Sequence, residues 1–410
     1  VSTAGSSGGT PVGAIRALTG LGLGLAAAGL TAAAGAAADR LSRDRRVALA
    51  LDAERGVTRR SAYFETPDHE QTVCSSDGTP LHVVIDEPRG TATEDESGAT
   101  KPTVVFSHGY CLSLDCWVFQ RRALREAGYR VVLWDQRGHG LSGTGDTDSY
   151  HIDQLGRDLK YVLDAVVPEG PILLVGHSMG GMTIMALGLD FPQYVKERVV
   201  GAAFVATSTG GLSSVSYGLG AAAGKAVHAF GPAAAGRLAR FQEAVDGTVR
   251  ASKDVMNFIV DWGSFGSPVP MSVAELTTDM IFSTRMEVIS AMMPHFDRHD
   301  KREALGSFRG IETLVFNGAA DKLTPPSHSD AIVRLLPGSE HVVIEEAGHV
   351  IMLEHPEILN EQLLALAVRA CRAAAAGHSS DEARAPVHYL DVGRRRKARE
   401  VGRGRHLKRG

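Results

Sequence analysis

The pattern of apolar and polar positions changes texture several times along this chain. Residues 1–17 are small and polar, and Leu18 to Ala38 then runs without a charge and is rich in Ala, Gly and Leu. From about Ser61 short apolar runs separated by turn signals take over. Gln71–Ser75 and Leu81–Asp86 flank Asp77-Gly78 and predict a β-hairpin. Beyond a polar loop at Gly90 to Lys101, strands are expected at Thr103–Ser107, Arg130–Trp134, Ile172–Val175 and Val199–Ala206. Helices are expected at Trp117–Ala127, Ile152–Val167 and Met179–Phe191. After a long gap the alternation resumes with Thr313–Phe316 (strand), Ser327–Leu336 (helix), His341–Ile344 (strand) and Pro356–Ala374 (helix). Short apolar strands alternating with helices specify an α/β fold, with a mostly parallel central sheet flanked by helices.

The gap from Ser208 to Gly310 begins rich in Gly, Ser and Ala and becomes helical and methionine-rich, with Met256, Met271, Met280, Met286, Met292 and Met293. An insertion between two strands of one sheet has to sit outside the sheet, so this stretch is expected to form a helical lid. Five regions follow: an N-terminal extension at 1–60 with a possible membrane segment at 18–38, a first core part at 61–207, the lid at 208–310, a second core part at 311–380, and a basic, disordered tail at 381–410.

Composition adds little to this picture. Charged residues make up 22% and the formal net charge is −4, which gives no reason to expect nucleic acid as a partner. Cys74, Cys111, Cys116 and Cys371 include no Cys-x-x-Cys pair and no zinc-ligand spacing. A short Cys111–Cys116 disulfide is conceivable, but a chain of this size needs no staple, and the four read as free thiols.

The chemistry concentrates at Gly176-His177-Ser178-Met179-Gly180, a G-x-S-x-G pattern entered from an apolar strand and left by a helix. A sharp strand-to-helix turn exposes Ser178 as a nucleophile, and side chains at Gly176 and Gly180 would collide there. A serine hydroxyl needs a base, and at such an elbow the acid and then the histidine follow in chain order. His349, in Ala347-Gly348-His349 after the last predicted strand, is the expected base; His355 competes but reads as part of a helix start. Asp321, on the loop after Thr313–Phe316, is the expected acid, with Asp297 and Asp300 as poorer choices at the exit of the lid. The oxyanion donors are expected to be the backbone N–H groups of Met179 and of Tyr110, in Ser107-His108-Gly109-Tyr110.

These residues, with Asp135-Gln136-Arg137-Gly138-His139-Gly140 and Thr324-Pro325, resemble the α/β-hydrolase superfamily from roughly Gln71 to Ala374. The set is similar to lid-bearing bacterial esterases, monoglyceride lipases and bromoperoxidase-like hydrolases. The resemblance implies an α/β-hydrolase fold. The set Ser178, Asp321 and His349 implies acyl transfer through an acyl-enzyme, and the methionine-rich lid suggests an adaptable apolar pocket. A carboxylic ester with an apolar acyl chain, such as a small lipid-like ester, is therefore the expected substrate, and no cofactor or metal is implied. Amidase or aminopeptidase, perhydrolase and acyltransferase activities share the same site, and a silent binding protein is the reading of another class. Arg40, Arg43, Arg45 and Arg46 crowd one side of residues 18–38, which favours an anchor with the catalytic part on the cytoplasmic side. A cleaved signal ending at Ala36-Ala37-Ala38 and an inert extension of a soluble enzyme are the alternatives.

Overall fold

The structure is a computed structural model, which describes residues 63–90, 100–215 and 263–376, together with positions 48, 51–52, 98, 260 and 387–389. The apolar run at 18–38, the middle of the lid stretch and most of the basic tail lie outside the described residues.

In chain order the elements are β1 (His69–Cys74), β2 (Pro80–Asp86), β3 (Thr103–Ser107), α1 (Val118–Glu126), β4 (Val131–Trp134), α2 (Ile152–Val166) and β5 (Ile172–His177). There follow α3 (Met179–Asp190), α4 (Pro192–Arg198), β6 (Val199–Val205), α5 (Met271–Ser283), α6 (Met286–Asp297) and β7 (Glu312–Gly318). The chain closes with α7 (Pro326–Leu335), β8 (Glu340–Ile344), α8 (Ile351–Glu354), α9 (Pro356–Ala376) and β9 (Val387–Tyr389). The nine strands make one sheet in the order β1-β2-β4-β3-β5-β6-β7-β8-β9. The hairpin β1–β2 is antiparallel and meets β4 antiparallel; every pairing from β4 to β9 is parallel. Val387–Tyr389, which falls within the stretch read as a disordered tail, extends the sheet beside β8.

Period-2 alternation decides which residues face which helices. Val104, Phe106, Leu133, Val175, Val205 and Phe316 point to the face covered by Leu124 of α1 and by Leu359, Leu363 and Leu366 of α9. Val105, Val132, Leu174, Phe204 and Val315 point to the opposite face, against Leu159, Val162 and Leu163 of α2 and Ile184 and Met185 of α3. The i, i+4, i+7 spacing of those leucines puts them on one stripe, and each buried Leu contributes about 1.5–3 kcal/mol. Both sheet faces are thus dry, which is what a parallel sheet requires.

The two helices between β6 and β7 go to different places. Val273, Leu276 and Met280 of α5 join the core on the α9 face, beside Val350 and Ile351. Val288 and Met292 of α6 instead form a third cluster with Met179 and Met182, the first turn of α3. The N-terminal extension also reaches this region: the Asp52 carboxylate accepts from the backbone N–H and hydroxyl of Ser272, at the start of α5. Among the described residues no helix is long and apolar enough to cross a membrane.

Candidate active site

The strand order reverses at β3, because the chain moves from β3 to β4 on one side and then to β5 on the other. Loops leaving the carboxyl ends of strands at such a point diverge and leave a crevice. Ser178 stands there, between β5 and α3, at φ 51 and ψ −117. A non-glycine residue in that region costs about 1–3 kcal/mol and persists only where its surroundings hold it. Its N–H donates to Val205 O at 2.9 Å, and its carbonyl accepts from the Thr207 hydroxyl at 2.6 Å. A Cβ at Gly180 would stand 2.1 Å from Ser107 O, so only glycine lets α3 start this close to β3.

The loops after β7 and β8 bring Asp321 and His349 together. Asp321 Oδ2 lies 2.8 Å from His349 Nδ1, with both side chains buried, at 0% and 7% exposure. Asp321 Oδ1 accepts from the N–H groups of Leu323 and Thr324, and Oδ2 accepts from the Thr324 hydroxyl at 2.8 Å. Those donors fix the carboxylate and leave it one free direction, toward the imidazole. With Nδ1–H donating to Asp321, His349 keeps Nε2 as an acceptor. Its ring lies 4.8 Å from that of His177, the residue before Ser178, and His177 Nε2 donates to His349 O at 2.9 Å. Burial, and then the neighbouring His349, hold His177 well below the ordinary imidazole range, so it serves as a neutral donor.

Tyr110 lies on the turn after β3, closed by Leu112 N–H to Gly109 O. A Cβ on Gly109 would stand 3.3 Å from the Ser178 Cβ, which places this turn against the elbow. Met179 opens α3, where the first N–H groups of a helix have no intrahelical acceptor. The Tyr110 hydroxyl donates to Ile289 O of α6 at 2.7 Å, and its ring packs edge-on against Phe296.

The Asp135–Gly140 stretch, to which the sequence lends no chemistry, holds this turn in place. Asp135 Oδ1 accepts from Leu114 N–H at 2.8 Å and Oδ2 from Leu141 N–H, with His82 Nδ1 also at 2.8 Å. The Gln136 amide donates to His108 O, while its oxygen accepts from the Thr183 hydroxyl of α3. Arg137 is buried between Asp158 and Asp77 and ties α2 to the hairpin turn. Cys111 and Cys116 are free and buried; among the described residues no group of three or more His, Cys, Asp or Glu side chains is placed to hold a metal ion.

A family model described as the alpha/beta hydrolase fold matches residues 102–356, from just before β3 to the start of α9. The chain belongs to this family. Among curated relatives of this α/β-hydrolase, the dihydrolipoyllysine-residue acetyltransferase component of the acetoin cleaving system of Pseudomonas putida is 29% identical over 272 residues. That match covers 64% of this chain and 62% of the relative, so the chain spans less than two thirds of its length. A 2-hydroxy-6-oxononadienedioate/2-hydroxy-6-oxononatrienedioate hydrolase of Paraburkholderia phymatum is 28% identical over 287 residues, 66% of this chain and 88% of that one. Among solved structures, the enol-lactonase of Burkholderia xenovorans LB400 superposes with a TM-score of 0.54 at 22% identity, covering 73% of this chain and all of that one. The bromoperoxidase of Bacillus anthracis gives 0.52 at 21%, covering 73% and 99%. Identities this low carry the fold alone. The family model and these superpositions agree on the fold, and the functional reading rests on the site itself.

Proposed function

We propose that this chain is a serine hydrolase that cleaves carboxylic esters with apolar acyl groups, with Ser178, His349 and Asp321 as its triad. The observation that carries this is the 2.8 Å Asp321–His349 hydrogen bond, buried beside the elbow that strains Ser178. His349 Nε2 takes the proton of Ser178 Oγ as that oxygen attacks the ester carbonyl carbon. The oxyanion is met by the N–H groups of Met179 and Tyr110. Collapse returns the proton from His349 to the leaving alcohol, and the acyl group stays on Ser178. Water, deprotonated by the same histidine, then releases the acid. Asp321 holds the imidazole and stabilises its cation throughout.

The apolar acyl preference is supported by the side chains around Met179: Val288, Met292, Leu212 and Val215 pack there from the stretch after β6. Methionine adapts to varied acyl shapes. On this reading residues 208–310 act as the lid. The run at 18–38 serves as an anchor that keeps the catalytic part at the cytoplasmic face, near lipid-like substrates. Two measurements test these points. A fluorophosphonate probe should label the wild type and not Ser178→Ala, and p-nitrophenyl esters of graded chain length should be cleaved where an aminoacyl anilide is not. Equal turnover of ester and anilide would replace the ester reading by an amidase one. Fractionation of cells carrying the full chain, or one lacking residues 1–38, tests the anchor; identical solubility with an intact N-terminus would remove it.

A further inference from the structure

Three consecutive backbone groups around His349 are held from outside its loop. Gly348 N–H donates to Glu354 Oε2 at 2.7 Å, His349 O accepts from His177, and Val350 N–H donates to Ser264 O at 2.9 Å. Two of these three anchors lead to the segment Ser264–Ser267, which returns from the lid stretch just before α5. Ser264 supplies one directly. Glu354 supplies the other, because its carboxylate also accepts from Gly266 N–H at 3.0 Å, Ser267 N–H at 2.5 Å and the Ser267 hydroxyl at 2.7 Å.

Glu354 ends α8 with its side chain at 0% exposure. Among the described residues no lysine or arginine pairs with it, and His355 Nε2 stands 3.6 Å from Oε1. A buried carboxylate without a firm ion pair is costly unless donors saturate it, and here four donors do so. The donors come from two segments about eighty residues apart in sequence, the lid return and the histidine loop. The two backbones touch directly: a Cβ on Gly348 would stand 2.6 Å from Ser264 O, and one on Gly266 would stand 2.7 Å from the carbonyl carbon of Ala347.

We propose that Glu354 is a positioning residue that joins the lid return to the loop of the triad histidine, so that His349 is set for catalysis only while Ser264–Ser267 is docked. This rests on the triad reading above. Glutamine is not an equivalent replacement, because its NH2 would face an N–H donor where an acceptor is required.

The test uses the full chain and counts active sites by fluorophosphonate labelling taken to completion. Turnover of a p-nitrophenyl ester is then expressed per labelled site. Glu354→Gln should lower kcat per labelled site by about 10²-fold, the scale of an ångström-sized misplacement, with KM nearly unchanged. Should Glu354→Gln yield no folded protein, Gly266→Ala decides. Gly266 is exposed, and its added methyl pushes the segment off the histidine loop, so kcat per labelled site should fall by at least about tenfold. A purely structural role would reduce the number of labelled sites and the melting temperature while leaving turnover per site at the wild-type value; that result overturns the inference. A wild type that takes no label, or a Ser178→Ala protein labelled like wild type, overturns the triad itself and this inference with it.

Discussion

The two halves of the site are held by different kinds of structure. Ser178 and the turn carrying Tyr110 sit on the ends of β3, β5 and β6, and are pinned by backbone hydrogen bonds and by Asp135 and Gln136. All of these lie between residues 103 and 207, in one run of chain. Asp321 and His349 sit on loops after β7 and β8, and the histidine loop leans on Glu354 and Ser264. On the proposed roles, the nucleophile is set by the sheet, while the base is set partly by the chain between β6 and β7, which the sheet does not contain.

The largest test separates the chemistry of the two halves. Ser178→Ala and His349→Ala should each lower kcat by about 10⁶-fold, and Asp321→Asn by about 10⁴-fold, measured on one p-nitrophenyl ester. Near-wild-type turnover in a folded Ser178→Ala protein would end the comparison. Next is the point where α6 touches the nucleophile half. Met292 is fully buried against the Met179 cluster, so Met292→Asp should destabilise the fold by about 3 kcal/mol or more, read from a urea midpoint. Half-buried Met293 should tolerate the same change with little loss of stability. Equal losses at both positions would mean that α6 packs otherwise.

Much of this arrangement is legible in sequence, for reasons that differ by element. The strands and the elbow announce themselves because an uninterrupted apolar run leads into glycines whose spacing a steric clash enforces. Asp321 and His349 follow because they occupy turn-rich loops after predicted strands. α4 is missed: at seven residues it is shorter than two turns, too short to show periodicity, although Pro192 at its first turn was a usable start signal. Glu354 is missed because three of its four donors are backbone N–H groups, which leave no residue-type signature, and Glu-His-Pro reads as a helix start. His177 occupies the variable position of G-x-S-x-G, where the pattern is silent.

A smaller test loosens the nucleophile half without touching the triad. Gln136→Ala removes the link between His108 O and Thr183. Loss of a whole oxyanion donor costs about 10²–10³-fold, so turnover should fall by at most about 10²-fold, with KM little changed. A rise in KM instead would place Gln136 in substrate binding. The smallest effect is on stability against acid. Burial drops His139 from 6.5 to about 3 and His299 to about 4. The unfolded chain takes up these protons below pH 6.5 and the folded one does not, so stability is full above that pH and is lost as pH falls toward 4 and then 3. The slope is at most about 1.4 kcal/mol per pH unit for each histidine. His139→Gln should flatten urea midpoints measured between pH 7 and 5, and an unchanged slope would assign the loss to other groups.

Strand β9 has a consequence for solubility. Without it, β8 would end the sheet with a row of unsatisfied N–H and C=O groups on a five-residue strand that is buried along most of its length. Such a margin is a template on which a second chain can add a strand of its own. Among the described residues Val387–Tyr389 covers that margin as an outermost strand of three residues, too short to seat a partner well. A chain ending at residue 380 should keep its ester turnover per labelled site in dilute solution, yet associate as its concentration rises. Light scattering on the two lengths, side by side, would register the difference as sheets joining edge to edge.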